Sequence, residues 1–264
     1  MHIVWSAAMI EKMETSGSAA FGFRQIAAEE KQELVNEVFS KVASRYDQMN
    51  DLMSGGLHRL WKDDLAAMLN PPRGDTEFQV VDVAGGTGDV AFRILARSGI
   101  GTRALVVDAS PEMVAEGRKR AEAEGCGERC RFMVGNAEAL ALPDKSFDAF
   151  TIAFGLRNVT HVEKALREAY RVLTPGGRFL CMEFSHMDFP GLDRLYDAYS
   201  FTVIPAMGKA VTGSGEPYRY LVESIRTFPN QTELAAKMTD SGLERVQCRN
   251  VAAGIVAIHS AWRL

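Results

Sequence analysis

The residues best placed to do chemistry lie in Val80–Ala91, VVDVAGGTGDVA, where an apolar run ends in Asp82 and three glycines, Gly85, Gly86 and Gly88, follow closely. Such a loop lets backbone approach a ligand, and two ligands fit it. From Gly86 the letters obey G-x-G-x-x-A, the loop that sets a pyrophosphate on a helix N-terminus. From Asp82 they obey an acidic-led loop suited to S-adenosylmethionine, which carries an ammonium, a carboxylate and a sulfonium but no phosphate. Asp108 lies 20 residues after Gly88, where a carboxylate would meet an adenosine ribose in either case. Asp82 discriminates better: beside the loop it suits an ammonium and would repel a pyrophosphate. The plainer alternative is that Asp82 caps the turn.

The elements around the loop decide which site it joins. FQVVDVA reads as a buried strand, followed by the loop and a helix from about Asp89 to Arg97. RALVVDAS, CRFMVGNA, FDAFTIAFG and RFLCMEFS read as further strands, and two final apolar strands lie near LERVQCRNV and GIVAIHSAWRL. Helices intervene: PEMVAEGRKRAEAEG starts with Pro111, which suits a first turn, and HVEKALREAYRVL stripes Val162, Ala165, Leu166, Ala169 and Leu173. This alternation predicts an α/β fold: a doubly wound, mostly parallel, seven-stranded Rossmann-like sheet. Ligands bind such sheets at the strands' carboxyl ends. Asp82, Gly85, Gly86, Thr87, Gly88, Asp108, Asn136 and Ala153–Asn158 should therefore converge on one edge, with Asn136 and Ala137 as a wall for an adenine. Their order favours a class I methyltransferase with S-adenosylmethionine as cofactor.

Helices over 29–45 and 57–69 come before any predicted strand and are expected to form an N-terminal helical cap over 21–75. Residues 1–20 read as a flexible tail and 21–264 as one domain. After Ser185 the alternation breaks, and the aromatic-rich insertion 186–228 is long enough to be functional. A net charge of −4 with scattered basic residues gives no case for nucleic acid. Ala198–Gly208 holds 11 uncharged residues, short of the about 20 a membrane-spanning helix needs. The four cysteines lack zinc spacing and read as reduced thiols, and no metal cluster is expected.

The segments FGFRQIAAEEK (21–31), VFSKVASRYDQMNDLMSGGLHRLWK (38–62), VVDVAGGTGD (80–89), FGLRNVTHVEKALREAYRVLTPGGRFLCMEFS (154–185), YDAYSF (196–201) and YRYLVESI (218–225) together resemble the ubiquinone/menaquinone biosynthesis C-methyltransferase family. The resemblance implies methyl transfer to a ring carbon of a polyprenylated benzoquinol, a demethylmenaquinol, or both. It carries cofactor roles to Thr87, Asp108, Asn136 and Ala137. Ala153 stands where the family often has serine, which puts the side-chain role there in doubt.

With a quinol acceptor in view, Arg157 is the leading catalytic candidate, as a guanidinium stabilising a phenolate directly or through water; a structural ion pair is its alternative. Asn158 could orient the same water. Tyr46, Asp47 and Asp51 belong to cap closure, or to capping and packing. Tyr196, Tyr199 and Tyr218 could line the quinol pocket, or pack the insertion. His161, His186 and His259 are weak candidates for a base. Phe189, Leu192, Leu195, Phe201, Val203, Ile204 and Met207 offer a contact for the isoprenoid tail, a dimer interface or core. The expected partners are the quinol, a membrane surface or quinone-biosynthesis proteins, and a second copy as a homodimer. The expected location is cytoplasmic, with peripheral contact at the inner membrane face one option. The rivals are a nicotinamide-dependent oxidoreductase, an O- or N-methyltransferase, and a non-catalytic scaffold.

Overall fold

The structure, a computed structural model, describes residues 17–40, 51, 54–185 and 215–264. Nine strands and seven α-helices are described. A hairpin, β1 (Ser18–Phe21) and β2 (Arg24–Ala27), leads into α1 (Ala28–Ser40) and α2 (His58–Leu69). There follow β3 (Phe78–Val83), α3 (Asp89–Arg97), β4 (Thr102–Asp108), α4 (Pro111–Ala123), β5 (Cys130–Val134) and β6 (Phe147–Ala153). A 3-10 turn (Leu156–Asn158) precedes α5 (Val162–Val172) and β7 (Leu173–Phe184). The chain closes with α6 (Glu216–Thr227), α7 (Gln231–Asp240), β8 (Glu244–Val251) and β9 (Val256–Trp262).

The main sheet has seven strands in the order β5-β4-β3-β6-β7-β9-β8. Pairings among β5, β4, β3, β6 and β7 are parallel, while β9 runs antiparallel to both β7 and β8. This is the mostly parallel, doubly wound sheet the alternation predicts. The order reverses at β3, so the crevice beyond the carboxyl ends of β3, β4 and β6 is where a ligand belongs.

The central strands are apolar because helices cover both faces. Val80, Val81 and Val83 of β3 are buried. On one face Val81 and Val83 join Phe150, Leu166, Ala169 and Leu234, so α5 and α7 pack there. On the other, Val80 joins Trp61, Leu65, Ile94 and Leu180, which seats α2 and α3. Leu166 is fully buried, so its truncation to alanine would cost about 2–5 kcal/mol. Local signals start the helices where expected. Ser110 Oγ accepts from the Met113 amide at 3.2 Å ahead of Pro111. Asn230 and Glu233 form a reciprocal cap on α7.

Two expectations need correction. The cap does not begin with helices: β1 and β2 precede them, and the boundary drawn at residue 20 cuts through β1. Four-residue strands are too short to show a period of two, which is why the pattern escaped notice. The two-residue loop Gly22-Phe23 joins them, with Gly22 at φ +59° as a tight turn requires. Second, β7 starts at Leu173 rather than beyond the Pro-Gly-Gly turn, because Leu173 already pairs with Phe147.

Candidate active site

A cleft opens at the carboxyl edge, floored by Val83, Ala84 and Gly86, walled by Asp108–Ser110, Gly135 and Ala137, and closed by Phe154, Gly155, Asn158 and Val159. Gln32, Val35 and Asn36 of α1 cover it. It holds about 710 Å³ of atom-free space, its open mouth included.

The loops meeting here are backbone-strained. Ala84 and Phe154 sit at φ +52° and +57°, a region that non-glycine residues occupy at a cost and that gathers at functional sites. Gly155 explains how the two loops approach: a Cβ there would lie 2.4 Å from the Ala84 Cβ. Gly86, at φ +56°, has no atom within 4 Å of where a Cβ would stand, so its backbone faces open space.

Asp108 ends β4 at the cleft wall. Its Oδ2 accepts from the Gly86 amide at 2.8 Å and its Oδ1 from the Ser110 amide at 2.9 Å. Burial pushes its carboxyl up, against those backbone hydrogen bonds. A carboxylate has about four acceptor sites, so the two bonds leave capacity for a ribose diol. Asp82 is fully buried beneath Gly85, where a Cβ would lie 2.7 Å from its Oδ2. Thr151 Oγ1 donates to Asp82 Oδ1 at 2.7 Å. Burial pushes the Asp82 carboxyl up to about 7, opposed by the Thr151 hydrogen bond. Asp82 thus supports the loop from below instead of lining the cleft.

The other expected positions divide. Ala137 and Asn158 line the cleft. Thr87 turns aside: its Oγ1 accepts from Arg120 Nη1 at 2.6 Å. Asn136 is exposed, and its Oδ1 accepts from the Glu138 amide at 2.9 Å, shaping the loop that presents Ala137. Ala153 packs against the cluster of Trp61, Leu65 and Phe154. Gly85 and Gly88 carry the loop, with Gly88 donating to the Gly85 carbonyl at 2.9 Å.

Arg157 does not line the cleft. Its Nη1 lies 2.7 Å from Glu183 Oε2 and 2.5 Å from the Phe154 carbonyl, with the side chains of the pair 3% and 2% exposed. Its guanidinium lies 5.6 Å from the Phe184 ring centre. The ion pair, the alternative to direct phenolate contact, is what the structure contains, because Glu183 at the end of β7 points at the turn. Tyr218, expected in the quinol pocket, is instead fully buried and absent from the cleft wall. The helical period separates it from Tyr220, whose hydroxyl reaches Asn158 Oδ1 at 3.2 Å. Asp51 ties down the start of α2 through His58 and Arg59, at 2.9 and 2.8 Å. His161 precedes α5, and buried His259 lies 3.0 Å from the Gln231 carbonyl. Tyr46, Asp47, Tyr196, Tyr199, His186 and the apolar residues proposed for the tail lie outside the described residues.

Sequence reasoning missed four supporting groups. Glu138 Oε1 accepts from the amides of Thr160 and His161 at 2.6 and 3.0 Å, joining two cleft loops. Lys31 Nζ donates to the Val159 carbonyl at 2.8 Å, and burial pushes it down to about 8, with Glu138 opposing. Lys62, 8% exposed, pairs with Asp89 at 2.8 Å and pins α2 to the start of α3. Burial raises the Asp89 carboxyl, but Lys62 and Arg93 outweigh it and hold it below its usual value. Glu183 is the fourth. No periodicity marks any of them, since each partner is distant in sequence.

Residues 25–263 match the ubiE/COQ5 methyltransferase family. The chain belongs to that family. Among relatives, the ubiquinone/menaquinone biosynthesis C-methyltransferase of Nitrobacter hamburgensis is 57% identical over 244 residues, 92% of this chain and 96% of that protein. The enzyme of that name from Methylobacterium nodulans is also 57% identical, over 94% of this chain and 97% of its own. Solved structures share the fold of this ubiE/COQ5 member at low identity. A possible histamine N-methyltransferase from Thermotoga maritima superposes with a TM-score of 0.61 at 21% identity, covering 87% of this chain and all of that one. Phosphoethanolamine N-methyltransferase 2 of Haemonchus contortus, in complex with S-adenosyl-L-methionine, gives 0.55 at 14% identity, covering 77% of this chain and 52% of that one.

Proposed function

We propose that this chain transfers a methyl group from S-adenosylmethionine to a ring carbon of a polyprenylated benzoquinol or demethylmenaquinol. The observation that carries the reading is the cleft's division of labour. A carboxylate, Asp108, stands at one wall, and a neutral amide, Asn158, stands at the other. The residues fit the cofactor: Gly86 offers open backbone, Asp108 keeps acceptor capacity for a diol, and Ala137, Met113 and Val159 give apolar surface for an adenine. When bound, the sulfonium supplies an electrophilic methyl group.

The chain's own part is to bind and to orient. An acceptor carbon becomes nucleophilic when an adjacent ring hydroxyl loses its proton. Among the described residues lining the cleft, Asp108 is the one ionisable side chain, and its place is with the ribose. We therefore assign no side-chain base: the proton leaves to solvent, and the Asn158 amide stabilises the phenolate by hydrogen bonding. Arg157 acts one step back, holding the Leu156–Asn158 turn through Glu183. We assign the isoprenoid tail and membrane contact to the insertion at 186–220 from its apolar sequence. No helix of the described residues is long and apolar enough to cross a membrane.

Calorimetric titration tests the cofactor half. S-adenosylmethionine should bind and a nicotinamide dinucleotide should not, and Asp108→Ala should weaken binding at least about tenfold, the loss of a charge-assisted bond. Tight nicotinamide binding without S-adenosylmethionine binding would reverse the assignment.

A further inference from the structure

This inference rests on the functional reading above and asks what orients Asn158. The turn from Phe154 to Val159 is held from behind, on the side away from the cleft, by three groups. Lys31 of α1 grips the Val159 carbonyl. Glu183 of β7 accepts from the Arg157 amide and Nη1 at 3.2 and 2.7 Å. Tyr220 of α6 meets Asn158 Oδ1 at 3.2 Å. Of the three, the Tyr220 bond is the one made to a polar side chain in the cleft wall.

An asparagine amide can present either an oxygen or an N–H, and its surroundings choose. The Phe154 carbonyl, which can only accept, lies 3.5 Å from Asn158 Nδ2. Flipping the amide would set two oxygens against each other there. With nitrogen toward Phe154, the amide oxygen faces Tyr220, whose hydroxyl donates to it. Asn158 then has the second N–H of Nδ2 and one lone pair of Oδ1 left to offer, and of these the N–H is the one an oxyanion can use.

We propose that Tyr220 is a positioning residue for the methyl transfer: the Phe154 carbonyl sets which way the Asn158 amide faces, and the Tyr220 hydroxyl holds it there, so that an N–H is presented to the phenolate oxygen of the acceptor. An N–H favours the oxyanion, whereas an oxygen would repel it, so the lock selects the nucleophilic form of a hydroxylated ring. Tyr220 is built to stay put. It is 5% exposed and its ring stacks on Phe21 of the hairpin, centroids 4.3 Å apart. Burial pushes its hydroxyl up to about 12, with Arg157 opposing, so it remains a donor at ordinary pH. Through it the hairpin and α6, which lie outside the main sheet, bear on the acceptor end of the cleft.

The test uses the full chain and three variants, Tyr220→Phe, Asn158→Ala and the double. Tyr220→Phe keeps the ring stack and loses the donor. Its kcat for quinol methylation should fall about tenfold. Its calorimetric Kd for S-adenosylmethionine should match wild type, and its thermal midpoint should fall by no more than about 6 °C, the loss of one hydrogen bond. The pH at which kcat is half-maximal should rise, because the phenolate is less favoured. In the Asn158→Ala background, adding Tyr220→Phe should change kcat less than about twofold, since both act on one contact. Two independent, multiplying losses, or a wild-type kcat and pH profile in Tyr220→Phe, would overturn the proposal while leaving the functional reading intact. A wild-type chain that binds S-adenosylmethionine yet methylates no quinol would overturn both.

Discussion

Arg157→Ala should cripple the chain mainly by destabilising it. Arg157 and Glu183 are 3% and 2% exposed in their side chains and 2.7 Å apart. Removing one partner of such a pair strands a buried charge, which costs about 3–5 kcal/mol. The Phe154 carbonyl would also lose its 2.5 Å bond to the guanidinium, but that loss belongs to the same network and does not simply add. For a domain of this size each kcal/mol moves the thermal midpoint about 2–4 °C, so a fall of about 6–20 °C is expected. Urea unfolding read by tryptophan emission suits the measurement. Trp61 lies 6.4 and 6.3 Å from Phe154 and Phe184, which flank the pair. Replacing both partners, Arg157→Met with Glu183→Leu, should recover most of the stability, because no charge is then left alone. A loss below about 1 kcal/mol in Arg157→Ala, the range of an exposed pair, would refute the reasoning. So would a double variant no more stable than the single.

Three further outcomes follow. Gly155→Ala, whose new Cβ would lie 2.4 Å from the Ala84 Cβ, should cost about 1–3 kcal/mol and weaken S-adenosylmethionine binding; Gly86→Ala faces open space and should bring only the backbone penalty of its φ of +56°. A Gly155→Ala chain that unfolds at the wild-type urea concentration and binds S-adenosylmethionine as wild type does would count against this account of loop approach. Asp82 stands at about 7 in the folded chain, above its ordinary value near 3.9. The folded state therefore binds the extra proton, so this group makes stability fall as pH rises from about 4 to about 7. Asp82→Asn should flatten that fall, and unfolding curves with the same slope as wild type across this window would show that burial does not act as described. Lys62→Met leaves Asp89 half-buried without its nearest cation, so α2 should open first; amide exchange in Leu65 and Ala66 no faster than in wild type would disprove that role.

The sheet was legible because its strands are short apolar runs divided by helices with a clean stripe. β3 through β6 and the helices α3, α4 and α5 lie where periodicity and caps predict them, while β7 is present but begins earlier, at Leu173. The hairpin was not, because two four-residue strands carry no measurable period and gain their stability from Phe21 stacking on Tyr220, about 200 residues away. The same limit separates the cleft's floor from its supports. The glycine loop, Asp108, Ala137 and Asn158 could be found from letters and spacing alone. Lys31, Glu138, Glu183 and Tyr220 act through partners that only the fold brings near. Arg157 shows the boundary well: its position at the carboxyl edge is readable, but its direction depends on Glu183, 26 residues on.

The central claim is that this cleft methylates carbon. Incubation with S-adenosylmethionine carrying a ¹³C-labelled methyl group, and with short-tailed benzoquinol and demethylmenaquinol acceptors, followed by carbon NMR of the product, tests it directly. The account predicts a signal in the aryl-methyl region, on the ring carbon beside a hydroxyl. A signal in the methoxy region, or label on nitrogen, would contradict it.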